Sequence, residues 1–182
     1  TFLTLDGVMQ APADATEDTS GDFRHAGWAR PYWDDVMAQV GRTAMSKPYD
    51  LLMGHKTYDI FKGAHTSEDK DDPLYSSKKF VVTSSPETLI WHNAFRLSGD
   101  LSSEIAKLKS EGDRLLQVHG SWQLIQFLLL HDLIDEFRLW VFPITLGSGK
   151  RLFGENGPPR KLNLVQSEPT GNGVIMNIYR RS

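Results

Sequence analysis

The feature that constrains this chain most is the stretch "LLQVHGSWQLIQFLLL", which runs from Leu115 to Leu130. Its first half has the pattern of a buried strand and its second half that of a buried helix. Only Gly120 and Ser121 stand between the two. Because glycine lets another group approach the backbone without a Cβ in the way, this joint predicts a close neighbour, such as a ligand, at the strand-to-helix turn.

Strand and helix patterns alternate over the first two thirds of the chain, and strand patterns alone complete it. The final strand patterns are "EFRLWVFPI", "KLNLVQSEP" and "VIMNIYRR". This order predicts an α/β fold of three layers, α/β/α, with a mixed central sheet of about eight strands. We expect the sheet to be mostly parallel, with an antiparallel C-terminal hairpin. No linker or repeat interrupts the pattern, which predicts a single domain over residues 1–182.

Three further segments carry expectations of their own. Pro31 is expected to open the first helix, as proline often does. The long polar segment from Met9 to Arg30 is expected to be functional or disordered. A loop without regular structure is expected from Ala64 to Lys78.

Composition excludes several classes of function. The net charge of −3 argues against a nucleic-acid-binding protein. The chain has no cysteine, which removes disulfides and thiolate zinc sites and fits a cytoplasmic location. The six histidines lack ligand spacing, so no metal site is expected, and no apolar run is long enough to span a membrane.

Known phosphate motifs are absent. No Gly-x-Gly-x-x-Gly follows a strand, and in "GSGKRLFG" Arg151 stands where a P-loop has serine or threonine. A hairpin turn is the favoured interpretation of that glycine-rich segment.

Small, hydroxyl and basic residues follow four of the expected strands. Ligands of open α/β sheets bind beyond the carboxyl ends of the parallel strands, where helix N-termini attract anions. Two such helix starts, after Gly54 and after Gly120, could hold the two ends of a dinucleotide. The four strand ends are Asp6-Gly7, Gly54-His55-Lys56-Thr57, Thr83-Ser84-Ser85 and Gly120-Ser121.

Each of these strand ends also has a structural explanation. Glycine between a strand and a helix is common for geometric reasons alone, and Ser121 could serve only as a helix N-cap. Asp6-Gly7 is also a typical turn, and Thr83-Ser84-Ser85 is also a typical strand end.

The order of several blocks resembles the dihydrofolate-reductase-like superfamily, and more closely the RibD C-terminal-domain family, the reductase domain of bacterial riboflavin biosynthesis. The resemblance covers nearly the whole chain. The blocks that carry it are "TLDGVMQ", "LLMGHKTYDIF", "FVVTSS", "LLQVHGS" and "LIDEFRLWVFPITLGSGKRLF".

The resemblance implies an NADPH-dependent reductase of a pterin or pyrimidine-type substrate. It places the cofactor phosphates at Gly54, His55, Lys56 and Thr57, the 2′-phosphate end near Thr83, Ser84 and Ser85, and the pyrophosphate at Gly120, Ser121, Trp122 and Gln123. His55 stands where dihydrofolate reductases carry arginine. The alternatives are dihydrofolate reduction itself and a non-catalytic NADPH-binding oligomer.

Two carboxylates are candidates for the reaction itself. The resemblance implies that Asp6 lies close to nicotinamide and substrate, and that Asp34 is the proton donor. Asp35 is the alternative donor, and both helix acids could instead only complement the helix dipole. Because "EFRLWVFPI" is apolar on both faces, and relatives pair through this region, the sequence also predicts a homodimer.

Overall fold

The computed structural model describes residues 1–44, 46–65, 69–154 and 157–182. These residues form two compact units along the chain. Unit 1 comprises Thr1–Val40 and Ile134–Ser182, and unit 2 comprises Gly41–Leu133. The strands are β1 (Phe2–Thr4), β2 (Tyr49–Gly54), β3 (Lys79–Val82), β4 (Ala94–Leu97), β5 (Leu115–Gln117), β6 (Glu136–Phe142), β7 (Leu162–Pro169) and β8 (Ile175–Arg181). The helices are α1 (Asp35–Ala44), α2 (His55–Ala64), α3 (Pro73–Ser76), α4 (Leu101–Glu111) and α5 (Trp122–Leu130).

Unit 2 is built on a parallel sheet with the strand order β4-β3-β2-β5. Strand β2 is fully buried at Leu51 and Met53, as expected for the centre of a parallel sheet. These side chains pack with Tyr58 of α2 and Val81 of β3. Because β2, β3 and β5 are parallel, their carboxyl ends lie at one edge of this sheet.

Unit 1 is built on a mixed sheet with the order β1-β6-β8-β7. Strand β1 pairs with β6 in parallel, whereas β8 pairs with β6 and β7 in antiparallel fashion. Within the part of the chain that the structure describes, the α/β class, the eight strands and the C-terminal antiparallel hairpin are therefore confirmed, with the strands hydrogen-bonded as two sheets of four. The single domain over residues 1–182 stays a prediction.

The segment from Met9 to Arg30 is part of the core of unit 1. Phe23 and Trp28 are buried there against Phe142. The buried Gln10 side chain donates to the carbonyls of Asp18 and Ser20 and accepts from the Lys150 backbone N–H. Through these contacts the segment contributes both apolar packing and buried hydrogen bonds to unit 1.

Three boundaries differ from the sequence predictions. Helix α1 begins at Asp35, because Trp33 is extended and Pro31 lies in a separate 3-10 turn. Strand β5 ends at Gln117, so the joint before α5 is four residues long rather than two. The loop predicted from Ala64 to Lys78 contains α3, which the Asp72 side chain caps, and residues 66–68 of that loop lie outside the described residues.

None of the helices among the described residues is long and apolar enough to cross a membrane.

Lys79 is a fully buried cation at the start of β3. Its Nζ donates to the carbonyls of Tyr75 at 2.8 Å and His92 at 3.3 Å, and lies 4.5 Å from the centroid of the Trp91 ring. Burial lowers the pKa of Lys79 to about 8, against the opposing effect of the Asp72 and Asp50 carboxylates. The folded chain therefore releases this proton at a lower pH than the unfolded chain, in which a lysine titrates near ~10.4.

We expect the free energy of unfolding to rise with pH between about 8 and 9.5, by at most ~1.4 kcal/mol per pH unit from Lys79, because only the unfolded chain still holds the proton there. Urea unfolding across this range measures the slope. In Lys79→Met the slope should become smaller, whatever the change in overall stability. An unchanged slope in the variant would show that Lys79 does not titrate in this range.

Candidate nucleotide-binding site

The two glycine joints of unit 2 lie against each other. The backbone N–H of Gly54 donates to the carbonyl of Gly120 at 3.3 Å. A Cβ on Gly54 would overlap the Ser121 side chain, and a Cβ on Gly120 would lie 2.6 Å from Thr57 Oγ1. The close neighbour predicted at Gly120 is therefore the other joint of the same unit.

This contact places the start of α2 beside the start of α5. Gly54 and Ser121 are the N-cap residues, and neither helix start has a side-chain cap. The Gly120–Ser121 peptide bond is cis. Backbone N–H groups and the positive ends of two helix dipoles thus meet at one edge of the parallel sheet, which fits a pyrophosphate.

His55, the first residue of α2, is hydrogen-bonded to the segment that follows β3. Its Nδ1 lies 2.6 Å from Thr83 Oγ1, and its Nε2 lies 3.1 Å from Thr88 Oγ1. The backbone N–H of Ser85 donates to Thr83 Oγ1, and the Thr88 hydroxyl donates to the Ser85 carbonyl. His55 Nε2 also lies 3.5 Å from Asp59 Oδ2, one helical turn further along.

The structure thus brings together the predicted cofactor residues of three strand ends. In these three segments, Lys56, Ser84 and Gln123 are exposed, and Trp122 is half-buried. Thr88 and Asp59 were not predicted as site residues. The spacing of four between His55 and Asp59 on a helix could have suggested the pair, whereas no sequence pattern indicates that Thr88 turns back toward His55.

Asp6 belongs to the fourth of the predicted strand ends and lies in unit 1, where its side chain is hydrogen-bonded to a distant loop. Its carboxylate accepts from the Thr4 hydroxyl at 2.5 Å and from the backbone N–H groups of Leu146 at 3.2 Å and Gly147 at 2.8 Å. The Thr4 hydroxyl, and after it these two N–H groups, lower the pKa of Asp6 to about 2 against the effect of burial. A carboxyl group that is ionised at neutral pH does not donate a proton, so the geometry gives Asp6 a role in holding the loop of Leu146 and Gly147.

Asp34 precedes α1 and caps it. Its Oδ1 accepts from the Met37 backbone N–H at 2.8 Å. Asp34 is half-buried and Asp35 is exposed. Asp34 therefore has a structural function as a helix cap, which the sequence analysis did not predict, and its role as proton donor stays a prediction.

Within the described ranges, no group of three or more histidine, cysteine, aspartate or glutamate residues could hold a metal ion.

Solved structures with this architecture share its full length. A candidate riboflavin biosynthesis protein from Shewanella sp. PV-4 superposes with a TM-score of 0.73 at 28% identity, covering 100% of this chain and 96% of that one. A pyrimidine reductase-like protein from Corynebacterium diphtheriae has the same fold, with a TM-score of 0.65 at 11% identity over 100% and 90% of the two chains. The dihydrofolate-reductase-like α/β fold predicted from the sequence is thereby confirmed.

Two sequence relatives and one family model also match this chain. YwjB and YyaP of Bacillus subtilis, both of uncharacterised function, are each 29% identical to this chain. YwjB aligns over 98% of this chain and 94% of its own length, and YyaP over 81% and 82%. Residues 1–176 match the RibD C-terminal domain, and the chain belongs to that family.

The contact between the two joints makes a prediction about stability. Gly120→Ala should lower the free energy of unfolding by about 1–3 kcal/mol, because the new methyl group meets Thr57 Oγ1. In a Thr57→Ala background the same substitution should lower it less, with a coupling of about 1 kcal/mol between the sites. Urea unfolding of the single and double variants measures this coupling.

Gly63→Ala is the matched control. Gly63 lies in the same helix as Thr57, and a Cβ there would meet nothing within 4 Å. Its effect should be the same with and without Thr57→Ala. If the effect of Gly120→Ala were also the same with and without Thr57→Ala, the contact between Gly120 and Thr57 would be contradicted.

Proposed function

We propose that this chain is an NADPH-dependent reductase of a pterin or pyrimidine-type substrate, of the kind represented by 5-amino-6-(5-phosphoribosylamino)uracil reductase. The observation that carries the proposal is the pair of adjoining helix starts in unit 2, in a chain that belongs to the RibD C-terminal domain family. Membership of that family supports an oxidoreductase of the riboflavin-pathway type. Bound NADPH would supply the hydride.

The residues of unit 2 divide into three groups in this proposal. Gly54 to Thr57 hold the cofactor phosphates, Gly120 to Gln123 hold the pyrophosphate, and Thr83 to Ser85 lie toward the 2′-phosphate. Lys56 is exposed beside the start of α2 and adds a mobile positive charge. No specific observation favours dihydrofolate reduction or a non-catalytic NADPH-binding oligomer over this proposal, and a cytoplasmic location stays a prediction.

NADPH should quench the tryptophan fluorescence of the protein with a saturable dependence, and NADH should bind more weakly. Lys56→Ala should weaken NADPH binding by about tenfold, the scale of one charge-assisted contact. Lys62→Ala removes a lysine from the last turn of the same helix and should leave the affinity unchanged. Failure of both nucleotides to bind at millimolar concentration would refute the proposed cofactor.

Asp34→Asn tests the proton donor, because asparagine caps a helix about as well as aspartate but carries no ionisable proton. Turnover of a reducible pyrimidine or pterin, followed at the NADPH absorbance, should fall by roughly a hundredfold or more. The melting temperature and the NADPH affinity should stay close to those of the parent. Unchanged turnover would remove Asp34 from the chemistry and leave it as a cap alone.

We also propose that the chain forms a homodimer, although the reason differs from the one inferred from sequence. β6 lies between β1 and β8, and this interior position accounts for its two apolar faces. β7 is an edge strand of this sheet, and its Leu164 is 56% exposed and its Val165 48% exposed. An exposed apolar edge strand is a site where a second chain can pair.

Light scattering should give twice the monomer mass of 20.5 kDa at micromolar concentration. The double variant Leu164→Lys and Val165→Lys should shift the protein to the monomer, since charges on an edge strand oppose pairing. A parent protein that is already monomeric would contradict this proposal.

A further inference from the structure

The hydrogen bonds around His55 have fixed directions. A carbonyl oxygen only accepts, so the Thr88 hydroxyl donates its single hydrogen to the Ser85 carbonyl at 2.8 Å. Thr88 Oγ1 must then accept from His55, which places a proton on Nε2. In the neutral imidazole Nδ1 is therefore an acceptor, and the Thr83 hydroxyl donates to it at 2.6 Å. Thr83 Oγ1 itself accepts from the Ser85 N–H at 2.9 Å, which closes a ring of four hydrogen bonds.

A second proton on the imidazole reverses one of these bonds. Protonated Nδ1 becomes a donor, so Thr83 Oγ1 must accept from it as well as from Ser85. The Thr83 hydroxyl hydrogen then has no acceptor within this cycle of hydrogen bonds and points away from it. One protonation thus produces both a positive charge on His55 and a free hydroxyl donor on Thr83.

We propose that His55 is a specificity-determining residue that binds the 2′-phosphate of NADPH only together with a proton. The proposal rests on the proposed function. It adds that the preference for NADPH over NADH depends on pH. A neutral His55 has no charge to offer a phosphate, and its Thr83 neighbour has its hydroxyl hydrogen committed to Nδ1. Imidazole is the side chain whose charge ordinarily changes between about pH 5 and 8, whereas an arginine at this position would stay charged.

The groups around the imidazole are consistent with this coupling. On its own helix, Asp59 Oδ2 lies 3.5 Å from Nε2, and the buried Tyr58 ring meets the imidazole edge-on with 6.4 Å between centroids. From the segment after β3, the hydroxyls of Thr83 and Thr88 contact the ring. Glu87, which is exposed, is the ionisable residue within Thr83–Thr88.

Calorimetric titration of the full chain with NADPH and with NADH, in two buffers of different ionisation enthalpy, counts the protons taken up on binding. A phosphomonoester is already mostly dianionic at about pH 7.5. At this pH, binding of NADPH should be accompanied by the uptake of nearly one proton more than binding of NADH. The ratio of NADPH affinity to NADH affinity should fall by roughly tenfold between about pH 6.5 and 8.5, which corresponds to the loss of one charge-assisted contact.

Three variants separate His55 from the rest of the site. In His55→Arg the affinity ratio should stay high at both pH values, with no excess proton uptake, and this variant also corrects for titration of the phosphate itself. Thr83→Val should lose most of the uptake, because the outward hydroxyl donor is gone. Thr88→Val is the matched control, since Thr88 contacts Nε2 of the imidazole and not Nδ1, and it should keep the uptake.

The outcomes distinguish failure of the proposed function from failure of this inference. If neither nucleotide binds, the proposed function fails and this inference fails with it. If NADPH binds with the same proton uptake as NADH and with a pH-independent affinity ratio, the inference is wrong and the proposed function stands. Equal proton uptake in the parent and in His55→Arg would also overturn it.

Discussion

The backbone hydrogen bond from Gly54 to Gly120 is the interaction on which the candidate site depends. It joins the end of β2 to the joint that follows β5, so that α2 and α5 begin side by side. Side chains at either position would force the two segments apart, because Ser121 and Thr57 already occupy the space where a Cβ would lie. Both glycines are therefore required by packing within unit 2, and a substitution at either one alters this packing before it alters any ligand contact.

The fold class and the presence of the strand-to-helix joints could be predicted because they depend on local patterns, although the exact end of β5 could not. Apolar runs, strand-to-helix glycines and the final alternating strands are each visible within a few neighbouring residues. The contact between Gly54 and Gly120 could not be predicted in this way, since the two residues are far apart in the chain and pack through Thr57 and Ser121. The same is true of Asp6, whose partners Leu146 and Gly147 lie on a distant loop.

The two predicted catalytic carboxylates have structural functions, and these functions limit which of the two can supply a proton to a substrate. The pKa of Asp6 is held at about 2 by the Thr4 hydroxyl and two backbone N–H groups, so this residue carries a negative charge throughout the physiological range. A reductase needs a proton as well as a hydride when it reduces a C=N bond. Of the two carboxylates, only Asp34 therefore stays a candidate for supplying that proton, and its capping bond to Met37 would fix the orientation of its carboxyl group.

Hydrogen exchange of the backbone amides with and without NADPH tests the central claim most directly, because it locates the cofactor without requiring a substrate. The account predicts slower exchange at the starts of α2 and α5 and in the segment from Thr83 to Ser85, with no comparable change along the β7 edge. Protection confined to unit 1, or no protection anywhere at saturating NADPH, would contradict the assignment of the adjoining helix starts as the cofactor site.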